Sequence, residues 1–228
     1  GLKSWIPFYE ATVPHSMYNS VYHSKSDAEY NLEVANNMFM RKSYLNTMWQ
    51  DLYESPLPNL GEYKYSDLGY YFMKDIIERK NYKPLDEHMN ENFYAPLGLS
   101  KMTYKPTQKF SKYSLIPTEN VQKWRKQVVH GYVHDMGAAM LGGVGGHAGL
   151  FSNANDLAVI MKMLVNGGHY GGRYYLNENT IKTFTAYQKT GSRRGLGFDK
   201  PEFNEKRSSA ASRRASRATF GHTGFTGT

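Results

Sequence analysis

Two short stretches carry residue types that could do acyl or proton chemistry. The first, Tyr65-Ser66-Asp67, stands where a loop with prolines and a glycine, SPLPNLGEYKY, meets Leu68, Phe72 and Ile76, an apolar repeat of four residues. A tyrosine at such a junction, turned into a cleft beside cations that stabilise its phenolate, can accept a proton. Taken alone the tripeptide reads as an ordinary helix start, with Ser66 as N-cap and Asp67 at the positive helix end. With 19 tyrosines in the chain, Y-S-x by itself identifies nothing. The second stretch, TFGHTGFTGT from Thr219 to Thr228, reads as a strand in which His222, Thr223 and Gly224 set an imidazole, a hydroxyl and bare backbone in a row. It gains meaning only if matching pieces lie upstream.

Two further constellations have plainer explanations. Gly143, Gly145 and Ala148 fit the G-x-G-x-x-A form of a dinucleotide fingerprint. That fingerprint needs a strand just before it and a helix opening within it. Here AAML is weakly strand-like and the next helical pattern starts late, so the glycines read as backbone that takes positive φ or passes close to another segment. His130 and His134 have the i, i+4 spacing of zinc ligands on a helix, with Asp135 and His147 near them in sequence. Gly131 and the pair Tyr132-Val133 argue against a helix there, so hydrogen-bonded structural histidines are expected, and no metal.

These residues sit in a chain of 228, enough for one large domain or two small ones with a real core. Hydrophobic residues make up 40% and charged residues 21%, as in globular proteins, and no run of 18 apolar residues would span a membrane. There is neither a Met start nor a charged-then-apolar leader, so any targeting signal is expected to have been removed or to lie outside these residues. Cysteine is absent, which excludes thiol chemistry. The net charge is +8, and much of the excess falls in KRSSAASRRASR, Lys206 to Arg217. Such a run could bind phosphates, but without apolar period it reads as a solvated loop, and no nucleic-acid partner is expected.

The positioning elements follow from period and punctuation. Ser26 and Glu29 make a capping-box pattern ahead of AEYNLEVANNMFM, predicting a helix there. A helix is expected from about Asp67 to Arg79, and another after Pro84, ending before Pro96. GGVGGHAG, Gly142 to Gly149, predicts a turn. Leu157, Ile160, Met161 and Leu164 then predict a helix capped by Ser152 or Asn153 and stopped by Gly167-Gly168. One more helix is expected after Asn177, and strand-like residues come last.

Together, Tyr65-Ser66-Asp67, the segment GGVGGHAGLFSNANDLAVIMKMLVNGG and FGHTGFTGT resemble the serine β-lactamase-like and penicillin-binding-protein-like superfamily. Its motif set is S-x-x-K, then S-D-N, then K-T-G. In its class C β-lactamase, esterase and D-aminopeptidase branches the middle motif is Tyr-x-Asn, and esterase-like members often begin the last motif with His. The resemblance covers about Gly1 to Thr228. It implies an α+β fold, an antiparallel sheet covered by helices, with 1–228 a single such domain lacking both ends: the helical part plus the start of the H-T-G strand.

The departures from the family pattern are specific. No serine here begins S-x-x-K, so the nucleophile is not in this chain. Asp67 stands where the family has Asn; an ionised carboxylate only accepts hydrogen bonds, whereas an amide also donates. By resemblance Tyr65, with the missing lysine, takes the serine proton, and His222 replaces the cationic residue of the last motif. Asp67, Thr223, Gly224 and Phe225 contact substrate, the Phe225 N–H acting as an oxyanion donor worth about 3 kcal/mol in the transition state. The implied substrate is a small ester or amide, cell-wall derived in some relatives, with no cofactor and a periplasmic or otherwise extracytoplasmic setting. Relatives fused behind a glycoside hydrolase domain make such a fusion partner an expectation for the parent protein. The alternative is a catalytically inactive module that binds cell-wall fragments or a protein partner.

Overall fold

A computed structural model describes residues 2–58, 61, 63–121, 123–209, 211–212 and 214–225. The chain divides into two compact units, Gly1–Asn153 and Ala154–Thr228. Helices and antiparallel sheets make up both, an α+β architecture.

The first unit opens with helix α1 (His15–Val21) and strand β1 (Tyr22–His23). The segment expected to be a helix after Ser26 is instead a hairpin, β2 (Tyr30–Ala35) and β3 (Met38–Arg41), in an antiparallel sheet of order β1-β3-β2. The reason is local. Asp27 Oδ1 accepts the N–H groups of Glu29 and Tyr30, both at 2.8 Å, so the chain turns where a capping box would have started a helix. Asn37 supplies the positive φ of the hairpin turn, and Met38 and Met40 alternate inward with a period of two.

That sheet packs on α2 (Tyr44–Tyr53), and Met48 and Leu52 of α2 share one buried core with Leu68 and Tyr71 of α3 (Leu68–Asn81). Helix α4 (Leu85–Met89) runs into a π-helical turn, Asn90–Tyr94, ahead of Pro96 as expected. Strands β4 (Pro117–Val121) and β5 (Gln127–His130) pair antiparallel, and α5 (Met136–Met140) buries Ala138, Ala139 and Met140. Trp124 closes the core: its Nε1 donates to Tyr22 Oη at 3.1 Å, and that hydroxyl lies 3.0 Å from Thr12 Oγ1. Beside it the buried Arg125 donates to the carbonyls of Val133 (2.7 Å) and His134 (2.5 Å). Burial brings its guanidinium down to about 10, against the partial support of Glu119 and Asp135.

The second unit holds α6 (Ala154–Val165), the hairpin of β6 (His169–Tyr170) and β7 (Arg173–Tyr174), and α7 (Glu178–Thr185). Asn177 caps α7, its Oδ1 accepting the Asn179 N–H at 2.8 Å. Of the α6 residues expected on one apolar face, Ile160 and Leu164 are half-buried, Leu157 and Met161 are exposed, and Met163 is the buried one. Among the described residues no helix is long and apolar enough to cross a membrane.

Candidate functional site

Tyr65, Ser66 and Asp67 lie in the loop entering α3. The Ser66 hydroxyl donates to the Lys3 carbonyl at 2.5 Å and accepts the Leu68 N–H at 3.2 Å, and the Asp67 N–H donates to the Ser4 carbonyl at 3.0 Å. The N-cap position thus falls one residue later than expected, while the Ser66 hydroxyl still makes the capping bond. Asp67 occupies the N-cap position without a side-chain cap bond, because the Ser66 hydroxyl already serves Leu68. Tying the tripeptide to residues 3 and 4 holds its backbone, while Tyr65 stays half exposed (50%).

The glycine-rich turn lies on the same helix. A Cβ at Gly146 would fall 2.3 Å from the Tyr70 carbonyl oxygen, and one at Gly137 would fall 1.8 Å from the Tyr71 hydroxyl. These glycines let the turn and α5 pass against the first turn of α3. The residues before the turn form helix α5, not the strand a dinucleotide site needs.

The histidines serve structure. His130, on β5, bonds the Leu115 carbonyl at 2.8 Å; His134 Nε2 meets Glu119 Oε2 at 2.9 Å; His147 Nε2 meets Asp135 Oδ1 at 2.8 Å. They face different partners, and the described residues contain no group of three His, Cys, Asp or Glu arranged to hold a metal. A cleft of about 280 Å³ in this unit is lined by Glu33, Lys105, Tyr132 and Gly142, with the Tyr132 hydroxyl donating to Glu33 at 2.8 Å; Tyr65 is not among its walls.

In the second unit, the strand expected over 219–228 reduces to one antiparallel bridge, Asp199 to Gly221, through N–H···O bonds of 2.7 and 3.0 Å. Its last three residues lie outside the described ones. A ladder needs a partner that keeps register over several residues, and among the described residues residue 199 alone supplies one here. His222, Thr223, Gly224 and Phe225 are exposed, Phe225 at 90%, and His222 Nδ1 donates to the Thr223 carbonyl at 2.7 Å.

What holds this segment was not singled out in the sequence. Asp199, 6% exposed, takes Arg193 Nε at 2.9 Å and Arg194 at 3.3 Å on its two oxygens. The buried Lys200 donates through Nζ to the Thr219 carbonyl at 3.1 Å and lies over the Tyr187 ring. Desolvation lowers its ammonium from the usual lysine value. The signal available was the clustering of opposite charges in Arg193-Arg194 and Asp199-Lys200, about twenty residues ahead of the motif.

With a Y-S-D loop at a helix entrance and an anchored H-T-G segment both in place, a family-wide comparison decides the assignment. The model of the Beta-lactamase family matches residues 18–228. The chain belongs to the Beta-lactamase family. A protein of Escherichia coli (strain K12) provisionally named D-alanyl-D-alanine carboxypeptidase is 39% identical over 176 residues, which are 72% of this chain and 40% of that protein. A protein of the same name from Salmonella enteritidis PT4 (strain P125109) is 34% identical over 218 residues, 89% of this chain and 50% of that one. The chain therefore spans half or less of the length of these Beta-lactamase relatives. The octameric penicillin-binding protein homologue from Pyrococcus abyssi superposes with a TM-score of 0.51 at 15% identity, covering 86% of this chain and 40% of its own, a likeness of fold alone.

Proposed function

We propose that the chain is the substrate-orienting part of a serine hydrolase that transfers acyl groups from a small ester or amide, D-alanyl compounds of the cell wall being the class suggested by its relatives' names. The observation that carries this is Tyr65 half exposed at the head of α3, on a loop pinned by Ser66 and Asp67, within a chain matched by the Beta-lactamase family model.

The serine of an S-x-x-K segment, supplied by the longer parent protein, attacks the substrate carbonyl carbon. Tyr65, with the lysine of that segment, accepts the serine proton and returns it to the departing amine or alcohol. The Phe225 N–H and the serine's own N–H receive the tetrahedral oxyanion. Water then attacks the acyl-enzyme by the same proton route and releases the acid. His222 orients the substrate, and Thr223 and Gly224 line its path. Asp67, ionised, accepts from a substrate N–H or the lysine ammonium, where an Asn would also donate. An extracytoplasmic setting fits such a substrate.

The test is a longer parent chain carrying S-x-x-K. It should be labelled by a fluorescent penicillin or a fluorophosphonate and hydrolyse p-nitrophenyl acetate, and Tyr65→Phe should lower turnover by about 10²-fold or more. The 228 residues alone should give neither label nor turnover. Labelling at a serine within them would overturn the assignment. The absence of S-x-x-K from these residues also favours a second reading, an inactive module that binds cell-wall fragments. A parent without S-x-x-K that retains muropeptides would establish it.

A further inference from the structure

In the same unit as the Y-S-D loop, a histidine and an aspartate pair with no part in the chemistry above, the imidazole side chain buried and the carboxylate about one-third exposed. His147 is 5% exposed and donates through Nε2 to Asp135 Oδ1 at 2.8 Å. The same oxygen accepts the Ala138 N–H at 2.7 Å, so Asp135 is also the N-cap of α5. The His147 ring stacks on Tyr71, with centroids 4.7 Å apart and planes 17° from parallel, and Tyr71 is itself buried in the first turn of α3. Gly146 and Gly137 bring backbone against the Tyr70 carbonyl and the Tyr71 hydroxyl at distances no Cβ would allow.

Given the reading of Tyr65 and Asp67 as site residues, on which this rests, we propose that Asp135 and His147 are positioning residues: with the two glycines they clamp the first turn of α3 and so fix the loop that presents Tyr65 and Asp67. Three contacts converge on residues 70 and 71, only a few residues past the motif. The choice of side chain also matters. His147 Nδ1 is buried with no hydrogen-bond partner among the described residues, an arrangement that costs stability. A phenylalanine would give the stack without that orphan, so what the histidine adds is the tie to Asp135. The clamp also reaches the motif electrostatically: burial first, then the charges of Asp135 and Asp67, push the Tyr71 hydroxyl up.

Amide hydrogen exchange on the 228-residue chain tests this, with α2 of the same unit as internal reference. His147→Phe keeps the ring and loses the carboxylate. It should speed exchange of the Leu68–Tyr71 amides by about tenfold while α2 changes less than about twofold. His147→Gln, which keeps a donor for Asp135, should recover most of the protection. Should His147→Phe not fold, Gly137→Ala reports the same contact: it should loosen the same amides, and adding Tyr71→Phe, which removes the hydroxyl the new Cβ meets, should reverse part of the loss. Equal acceleration in α2 and α3, no change at Leu68–Tyr71, or no reversal by Tyr71→Phe would overturn the clamp. In an active S-x-x-K parent, His147→Phe should lower kcat/KM and His147→Gln restore it. A parent that turns over nothing would sink the hydrolase reading, while the exchange pattern would still decide the clamp.

Discussion

Residues 1–153 carry sixteen basic against fifteen acidic side chains, whereas residues 154–228 carry twelve against five, so the smaller unit holds +7 of the chain's +8. Burial runs the other way. Among the described residues the buried apolar side chains belong almost wholly to the first unit, and Met163, Ile181 and Pro201 represent the second. In their place the second unit buries Asp199 and Lys200. The first unit is held mainly by apolar area removed from water, a non-directional force spread over many residues. The second depends more on charged hydrogen bonds, which concentrate stability in a few atoms and fail when one partner is removed. The halves of the candidate motif set are divided in the same way: Tyr65 and Asp67 stand on a packed core, His222 to Phe225 on an electrostatic anchor.

The largest effect expected from this contrast is at Trp124. It is nearly fully buried, its ring lies 5.4 Å from that of Tyr9 and 6.1 Å from that of Tyr22, and the Arg125 guanidinium lies over it. Trp124→Ala should cost about 3–5 kcal/mol, read as a lower urea midpoint in far-ultraviolet dichroism. A loss below about 1 kcal/mol would mean the first unit is not held by its core.

Next comes Asp199. Asp199→Asn leaves Arg193 and Arg194 without their carboxylate, and both are about one-fifth exposed, so water recovers part of the loss. The expected cost is about 2–3 kcal/mol. It should appear as faster exchange of the Asp199 and Gly221 amides, which bond each other across the single bridge. Unchanged exchange there would show that the H-T-G segment is held by something other than this anchor.

The helices were legible and much of the positioning was not, for identifiable reasons. The apolar repeat after Asp67, Pro84 ahead of LDEHM, and Asn177 ahead of α7 are local signals, and each element lies where its signal puts it. The hairpin over Tyr30–Arg41 was misread because Ser26 and Glu29 mimic a capping box, while the deciding residue, Asp27, turns the chain through its own side chain. The period of two through Tyr30, Leu32 and Val34, followed by Asn36-Asn37, was the better signal. The pair of Asp135 and His147 joins a helix cap to a glycine turn twelve residues on, and its target, Tyr71, comes from a third element. In the sequence Asp135 and His147 stand out only as neighbours of His130 and His134; tertiary packing alone shows the His147 ring facing a tyrosine.

A smaller effect should follow pH. Burial raises the Asp135 carboxyl, but the hydrogen bond and charge of His147, the Ala138 N–H and the nearby His134 outweigh it and hold the group below the usual carboxylate range. A carboxyl depressed in the folded state stabilises above its unfolded value, near 3.9, and loses that contribution as pH falls through the folded value. Protection of α5 and the first turn of α3 should therefore fall below about pH 4, and Asp135→Asn should remove that acid-side slope. An unchanged slope in the variant would assign the acid sensitivity to other carboxylates.

The smallest expected effect separates exposed from buried pairing within the second unit. Glu178 and Lys182 pair at 2.7 Å across one turn of α7, with both side chains more than half exposed. An exposed i, i+4 pair contributes about 0.3–0.5 kcal/mol and is screened by salt. Glu178 also sits in the first turn, where a negative charge meets the helix dipole, and its stem lies 3.1 Å from where a Cβ on Gly167 would fall. Glu178→Gln keeps the stem and removes the charge, so it should lose the pair and the dipole interaction together, under about 1 kcal/mol. Lys182→Gln should lose the pair alone, under about 0.5 kcal/mol. Both are readable as α7 amide exchange at low salt, and both differences should shrink as ionic strength rises. The Asp199 anchor, shielded from solvent, should keep most of its effect under the same salt. If salt erased the two effects equally, the anchor would be no more buried in solution than the α7 pair, and the contrast between the units would reduce to a difference in apolar core.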